Sequence, residues 1–233
     1  MTIPIHLAAP ADIPALAEVL ARAFAADPMV VWPMVTDDEL EARIQRSFEL
    51  VDTLYAAEGW IYRAEDALGV MSLLPPDSGE RAHELDIVMA DAMAAITPDG
   101  GERYGRFWEW IEAGHPPERH WLLDQLAVEP RAQGRGIGTA LLRSALAHAG
   151  ADGLPLVLET GVARNVAFYE RFGFIVLRDA DAPSGGPHVW FMRWDPASAA
   201  DPTPATCSSI PSHTASIACG HQRPALIAPL PPG

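Results

Sequence analysis

An α/β fold is predicted, built on a mixed sheet with one short parallel strand pair and flanking helices. Three observations predict it. Strand and helix patterns alternate through residues 120–193, the order that yields parallel neighbours. A continuous apolar run, Leu154-Pro-Leu-Val-Leu-Glu159, suits a strand covered on both faces. Three glycines within five positions, Gly134, Gly136 and Gly138, separate a strand pattern from a helix pattern.

Taken in order, Ile3 to Leu7 alternates as a first strand. Asp12 is placed to cap a helix with Ile13, Leu16, Val19, Leu20 and Phe24 on one face, and Asp27-Pro28 ends it. Thr36-Asp-Asp-Glu39 has capping-box spacing ahead of a helix carrying Leu40, Ile44, Phe48 and Val51. Gly59 to Arg63 and Gly69 to Leu74 read as strands, the second stopped by Pro75-Pro76. Helices are expected over Glu84 to Ile96 and Tyr104 to Ala113, the least patterned part of the chain. His120 to Val128 reads as a strand, and a helix follows the glycines from about Gly136 to Ala149. Leu154 to Glu159 is a strand and Arg164 to Phe172 a helix. Gly173 to Leu177 and Val189 to Arg193 are the last strands, joined through Pro183-Ser-Gly-Gly-Pro187.

Composition narrows the function. Of 233 residues, 31 are acidic and 16 basic, a formal charge of −15. That balance excludes a phosphate-neutralising nucleic-acid face and tolerates a cationic small molecule. No run of 18 apolar residues is present, so no membrane-spanning helix is expected. The N-terminus lacks the pattern of a signal peptide. Residues 197–233 are rich in Pro, Ser, Thr and Ala with almost no charge, and a disordered tail is expected there, after a domain over 1–196. Both cysteines, Cys207 and Cys219, fall in that tail and make no disulfide framework, so a cytoplasmic home is the expectation. The eight histidines show no metal-ligand spacing, and His115 and His120 read as lining a loop. Trp108, Trp110 and Trp121 read as core, and no Gly-x-Ser-x-Gly elbow is present.

The glycine turn fits neither common phosphate-binding pattern. After Gly134-Arg-Gly136 the third glycine comes one residue early for a dinucleotide fingerprint, and no lysine follows for a triphosphate loop. Gln133-x-x-Gly136-x-Gly138 remains, opening a helix beside Arg131 and Arg135. Helix N-termini bind anions through unpaired amides and a positive dipole end.

This turn, with Leu158-Glu-Thr-Gly-Val-Ala-Arg-Asn-Val-Ala-Phe-Tyr-Glu-Arg-Phe-Gly-Phe174 downstream, resembles the GNAT superfamily of N-acetyltransferases. The resemblance covers about residues 120–195, and locally it is most similar to puromycin N-acetyltransferase-like members. It implies a mostly antiparallel central sheet with a splayed parallel pair, and acetyl-coenzyme A as co-substrate without a metal. It implies that Gln133, Gly134, Arg135, Gly136, Ile137, Gly138 and Thr139 hold the coenzyme diphosphate, with Arg131 adding charge. The main chain of Leu126, Ala127 and Val128 would bind the pantetheine arm, with an N–H of Ala127 or Val128 aimed at the thioester oxygen. Asn165 matches the position that touches the arm, the alternative being a helix cap. Tyr169 matches the tyrosine that protonates the leaving thiolate, the alternative being a packed side chain beside Phe168 and Phe172.

An alkyl amine is mostly protonated at pH 7, so a base is useful, and Glu159 at the end of a buried strand is the candidate. A surface carboxylate at a strand end is the alternative. Asp124 is read as solvent-facing or turned toward the amine. The expected acceptor is a small cationic or drug-like amine, with protein N-terminal or lysine acetylation and a non-catalytic coenzyme A-binding module as rivals. A monomer or homodimer is expected.

Overall fold

The computed structural model describes residues 3–196 and 226–227. Its sheet runs β1 (Ile5–Leu7), β2 (Ile61–Ala64), β3 (Gly69–Leu74), β4 (Trp121–Val128), β5 (Leu156–Thr160), β7 (His188–Trp194), β6 (Ile175–Asp181). All neighbours along that path are antiparallel except β4 and β5. Helices α1 (Ile13–Phe24), α2 (Pro28–Val31) and α3 (Leu40–Ala57) precede β2, and α4 (Gly79–Ile96) and α5 (Glu102–Glu112) sit between β3 and β4. Helix α6 (Ile137–Asp152) links β4 to β5, and α7 (Ala163–Glu170) links β5 to β6. The mixed α/β architecture expected from the alternating patterns is the one observed.

Periodicity explains the core. On α1, Leu16, Leu20 and Phe24 are fully buried, each side chain contributing about 1.5–3 kcal/mol through burial. Phe24 stacks on Phe48 of α3 with ring centroids 5.2 Å apart. The continuous apolar run is strand β5, buried along its whole length, as its lack of alternation requires.

Two capping expectations are corrected. Asp12 sits at the N-cap of α1 without bonding to it; its carboxylate accepts from the Ala9 N–H and from Arg63 Nε instead. The Thr36–Glu39 box does not form. Asp37 accepts from the Glu39 N–H and, through both oxygens, from Arg43 Nη2, and a charge-assisted pair outcompetes a neutral hydroxyl cap.

The expected disordered tail over 197–233 lies outside the described residues, apart from Leu226–Ile227. Those two form β8, which pairs parallel with β4 at Gln125 and Leu126.

A wedge between two parallel strands, ending at a glycine turn

Strands β4 and β5 pair through Trp121–Leu156 and Leu122–Val157. Across β4's other edge the register shifts: Ser72 faces Gln125, whereas Leu73 faces Leu123. Asp124 is therefore an extra residue, a bulge of the kind that bends a strand away from its neighbour. From there β4 runs on to Val128 and leaves a wedge on its β5 side. Leu126, Ala127 and Val128 are buried in β4, and Leu126, with Gln125 before it, pairs with β8.

The wedge leads to the glycine turn. Gly134 and Gly136 have φ of +76° and +84°, and a Cβ at either would meet no atom within 4 Å. Glycine is thus needed there for the left-handed backbone, and the space above is open. Helix α6 begins at Ile137, and its first hydrogen bond runs from the Ala140 N–H to the Gly136 carbonyl. The amides of Ile137, Gly138 and Thr139 have no acceptor within the helix. Gln133 donates to the Val128 carbonyl at 3.4 Å, tying the turn to β4. Arg131 is 80% exposed, 3.6 Å from Glu129, and Arg135 is exposed beside it. Glu129 is held from α1 by Arg22 at 2.8 Å, which anchors the start of the turn.

At the other end of the wedge stands a buried ionisable cluster. Glu159 Oε1 lies 2.6 Å from His115 Nε2, with both side chains nearly sealed from solvent. Burial pulls the His115 imidazole down. The charge and hydrogen bond of Glu159, with Glu112 and Asp124 behind them, leave it above its usual value. His120 packs edge-on to His115 at 5.8 Å; its Nδ1 lies 2.7 Å from the Glu118 carbonyl, and burial lowers its pKa. Asp124 is buried and accepts from Ser72 Oγ at 2.9 Å. This corrects the solvent-facing reading, because the bulge turns the side chain inward. Glu159 is no surface carboxylate either. His115 does leave a loop, as read, but as an ionic partner of β5.

Asn165 does not cap α7, whose N-cap is Val162. It donates instead to Thr160 Oγ1 at 3.0 Å, fully buried. Tyr169 is fully buried, with ring contacts to Phe168 and Phe174. Its hydroxyl has no hydrogen-bond partner among the described residues. Burial raises the phenol well above its ordinary pKa, and the charge of Asp27 adds to this. Trp108 is buried, while Trp110 and Trp121 are half-buried against the core. No group of three metal-ligating side chains occurs among the described residues, and no helix there is long and apolar enough to cross a membrane.

Two features escaped the sequence reading. Asp27 was legible only as a helix stop, yet its carboxyl is buried and caps α2. A groove of about 580 Å³ between α4 and α5 is lined by Tyr104 and Trp108 together with Asp86, Glu109 and Glu112. Glu112 also acts on His115, which connects the groove to the cluster.

Comparison with known proteins follows the same architecture. Residues 17–174 match the model of the acetyltransferase (GNAT) family. A solved structure from Corynebacterium glutamicum, described as histone acetyltransferase HPA2 and related acetyltransferase, is 28% identical with a TM-score of 0.65. It covers 88% of this chain and 100% of its own. An N-acetyltransferase from Staphylococcus aureus shares the fold at 18% identity and a TM-score of 0.53, covering 81% of this chain and 99% of that one. An uncharacterised Mycobacterium leprae protein is 34% identical over 82 residues, which span 34% of this chain but only 23% of that protein.

Proposed function

The chain belongs to the GNAT family of acetyltransferases, and from that premise we propose that it moves acetyl from acetyl-coenzyme A to a primary amine of a small cationic or drug-like molecule. One observation carries the reading: the β4–β5 wedge opens at the Asp124 bulge and ends at a glycine turn with three helix amides free for an anion. Pantetheine is an extended, amide-bearing chain, and β8 already uses the β4 main chain as an extended partner would. The diphosphate would meet the amides of Gly134 to Thr139 and the arginines at 131 and 135. The helix dipole adds roughly 0.3–1 kcal/mol.

The amine attacks the thioester carbonyl carbon directly. An N–H of Ala127 or Val128 faces the developing oxyanion, a donor worth about 10²–10³ in rate. Glu159 takes the amine proton, directly or through water, and shares it with His115. Tyr169, its phenol held protonated by burial, gives its proton to the departing thiolate. Asn165 steadies the arm from α7. The carboxylates of the α4–α5 groove and the overall charge of −15 favour a cationic acceptor with an apolar body.

A second reading has its own support, since the Corynebacterium structure is described as a histone acetyltransferase: the acceptor is then a protein amine. The test is coenzyme A thiol release across small amines, aminoglycosides, puromycin-like nucleosides and peptides. Fastest turnover with small amines supports the first reading, and turnover with peptides alone replaces it by the second. Acetyl-coenzyme A binding without thiol release from any acceptor would reduce the protein to a binding module.

A further inference from the structure

The groove between α4 and α5 is kept open by a glycine. Gly105 stands in the middle of α5 and lines the groove, and a Cβ there would meet no atom within 4 Å. Glycine inside a helix costs about 1 kcal/mol against alanine, and neither a turn nor a tight neighbour calls for it at this position. A side chain there would instead enter the groove, whose volume of about 580 Å³ is that of a small-molecule site. The wall is aromatic and acidic. Tyr104 and Trp108 meet edge to face with ring centroids 5.8 Å apart. Trp108 is 7% exposed and its indole N–H has no hydrogen-bond acceptor among the described residues, so packing alone does not satisfy that wall. Glu102 and Arg106 pair with each other at 3.1 Å, which leaves Asp86, Glu109 and Glu112 in the lining beside His83. Glu109 is exposed and forms no ion pair among the described residues.

One end of the groove is tied to Glu159 by direct contacts. The Glu112 carbonyl accepts the His115 N–H at 3.0 Å, and His115 Nε2 lies 2.6 Å from Glu159 Oε1. Gly114, in the same turn, packs so closely on Phe191 that a Cβ would run into the ring, and Phe191 is the register partner of Glu159. The groove is lined from Gly101 to Glu112, along the 11 residues of α5, a length of about 16 Å. We propose that it holds the acceptor lengthwise, with the amine to be acetylated at the Glu112 end and a second cationic group against Glu109. The inference rests on the small-amine reading above and narrows it to diamines, two nitrogens joined by an apolar spacer. Glu109 and Glu112 lie three residues apart, about 4.5 Å along the helix, so a two-carbon spacer is too short and one of five or six carbons spans them. Tyr104 and Trp108 supply the apolar wall for that spacer. Acetylation turns one of the two cations into a neutral amide, so the product is held by one charge fewer than the substrate and leaves.

The experiment compares coenzyme A release with 1,6-diaminohexane and with hexylamine, which share an apolar body and differ in the second charge. The wild type is expected to favour the diamine in kcat/KM by about fivefold, beyond the statistical advantage of two equivalent nitrogens, with the difference lying in the KM for the amine. Glu109→Gln is expected to remove that preference. Gly105→Trp is expected to raise the KM for both amines about tenfold or more, without a matching rise in the KM for acetyl-coenzyme A; Gly105→Leu replaces it if the first variant does not fold. Equal kcat/KM for the two amines in the wild type would overturn the second charge. A preference that survives in Glu109→Gln would overturn the anchor. An unchanged amine KM in the folded Gly105 variant would overturn the groove as the acceptor's site. Release with peptides alone, or with no acceptor, would instead contradict the proposed function.

Discussion

His115 Nε2 and Glu159 Oε1 meet at 2.6 Å inside the protein, joining the loop after α5 to the end of β5. Replacing Glu159 with Gln would remove the proposed acceptor of the amine proton, and kcat should then fall about 10²–10⁴-fold. Stability should change with a defined pH signature. The folded-state pKa of His115 is raised, so the pair stabilises below the unfolded imidazole value and loses that contribution as pH rises through the folded value. The melting temperature deficit of Glu159→Gln is therefore largest below the unfolded imidazole value and shrinks as pH rises above it.

Asp27 gives a slope of the same sign in a lower pH window. Its folded pKa of about 7 lies above the ordinary 3.8, so the unfolded chain ionises first. The wild type should lose stability as pH rises from about 4 to 7, by on the order of a few kcal/mol at ~1.4 kcal/mol per unit. Asp27→Asn lacks this loss. Thermal melts should show the variant gaining on the wild type across that window and holding a constant advantage above it.

Gly136 separates strain from occlusion. With φ of +84° and open space where a Cβ would sit, Gly136→Ala should cost roughly 1–2 kcal/mol from backbone conformation. Gly136→Trp should fill the space above the turn and abolish acetyl-coenzyme A binding in a calorimetric titration. Normal affinity in the Trp variant would contradict the turn's role.

Leu226–Ile227 pairs with the β4 main chain at Gln125 and Leu126, inside the wedge assigned to pantetheine. Two ligands for one edge compete. Ending the chain at residue 196 should therefore lower the KM for acetyl-coenzyme A, with little change in kcat. An unchanged KM would show that β8 exerts no competition.

The run from β4 to α7 was legible because its signals are local. A glycine turn, a helix period and an uninterrupted apolar strand each fall within a short window. The ends of α4 were harder: the helix starts at Gly79 rather than near Glu84, since its apolar face carries little pattern before Leu85. Asp124 could not be read as buried, because only its pairing with β3 reveals the bulge. His115 reaches Glu159 through a loop, and α2 docks at Gly161 through Pro28 and Met29. Neither approach leaves a trace in spacing. The same holds for the caps at Asp12 and Asp37, where distant or better-charged partners displaced the local bond.

A crystal structure with coenzyme A tests the role of the wedge and its turn most directly. The diphosphate is expected on the amides between Gly134 and Thr139, the pantetheine arm along Leu126 to Val128, and Leu226–Ile227 displaced from the β4 edge. A coenzyme bound elsewhere, with β8 still paired to β4 and the glycine turn bare, would contradict that role.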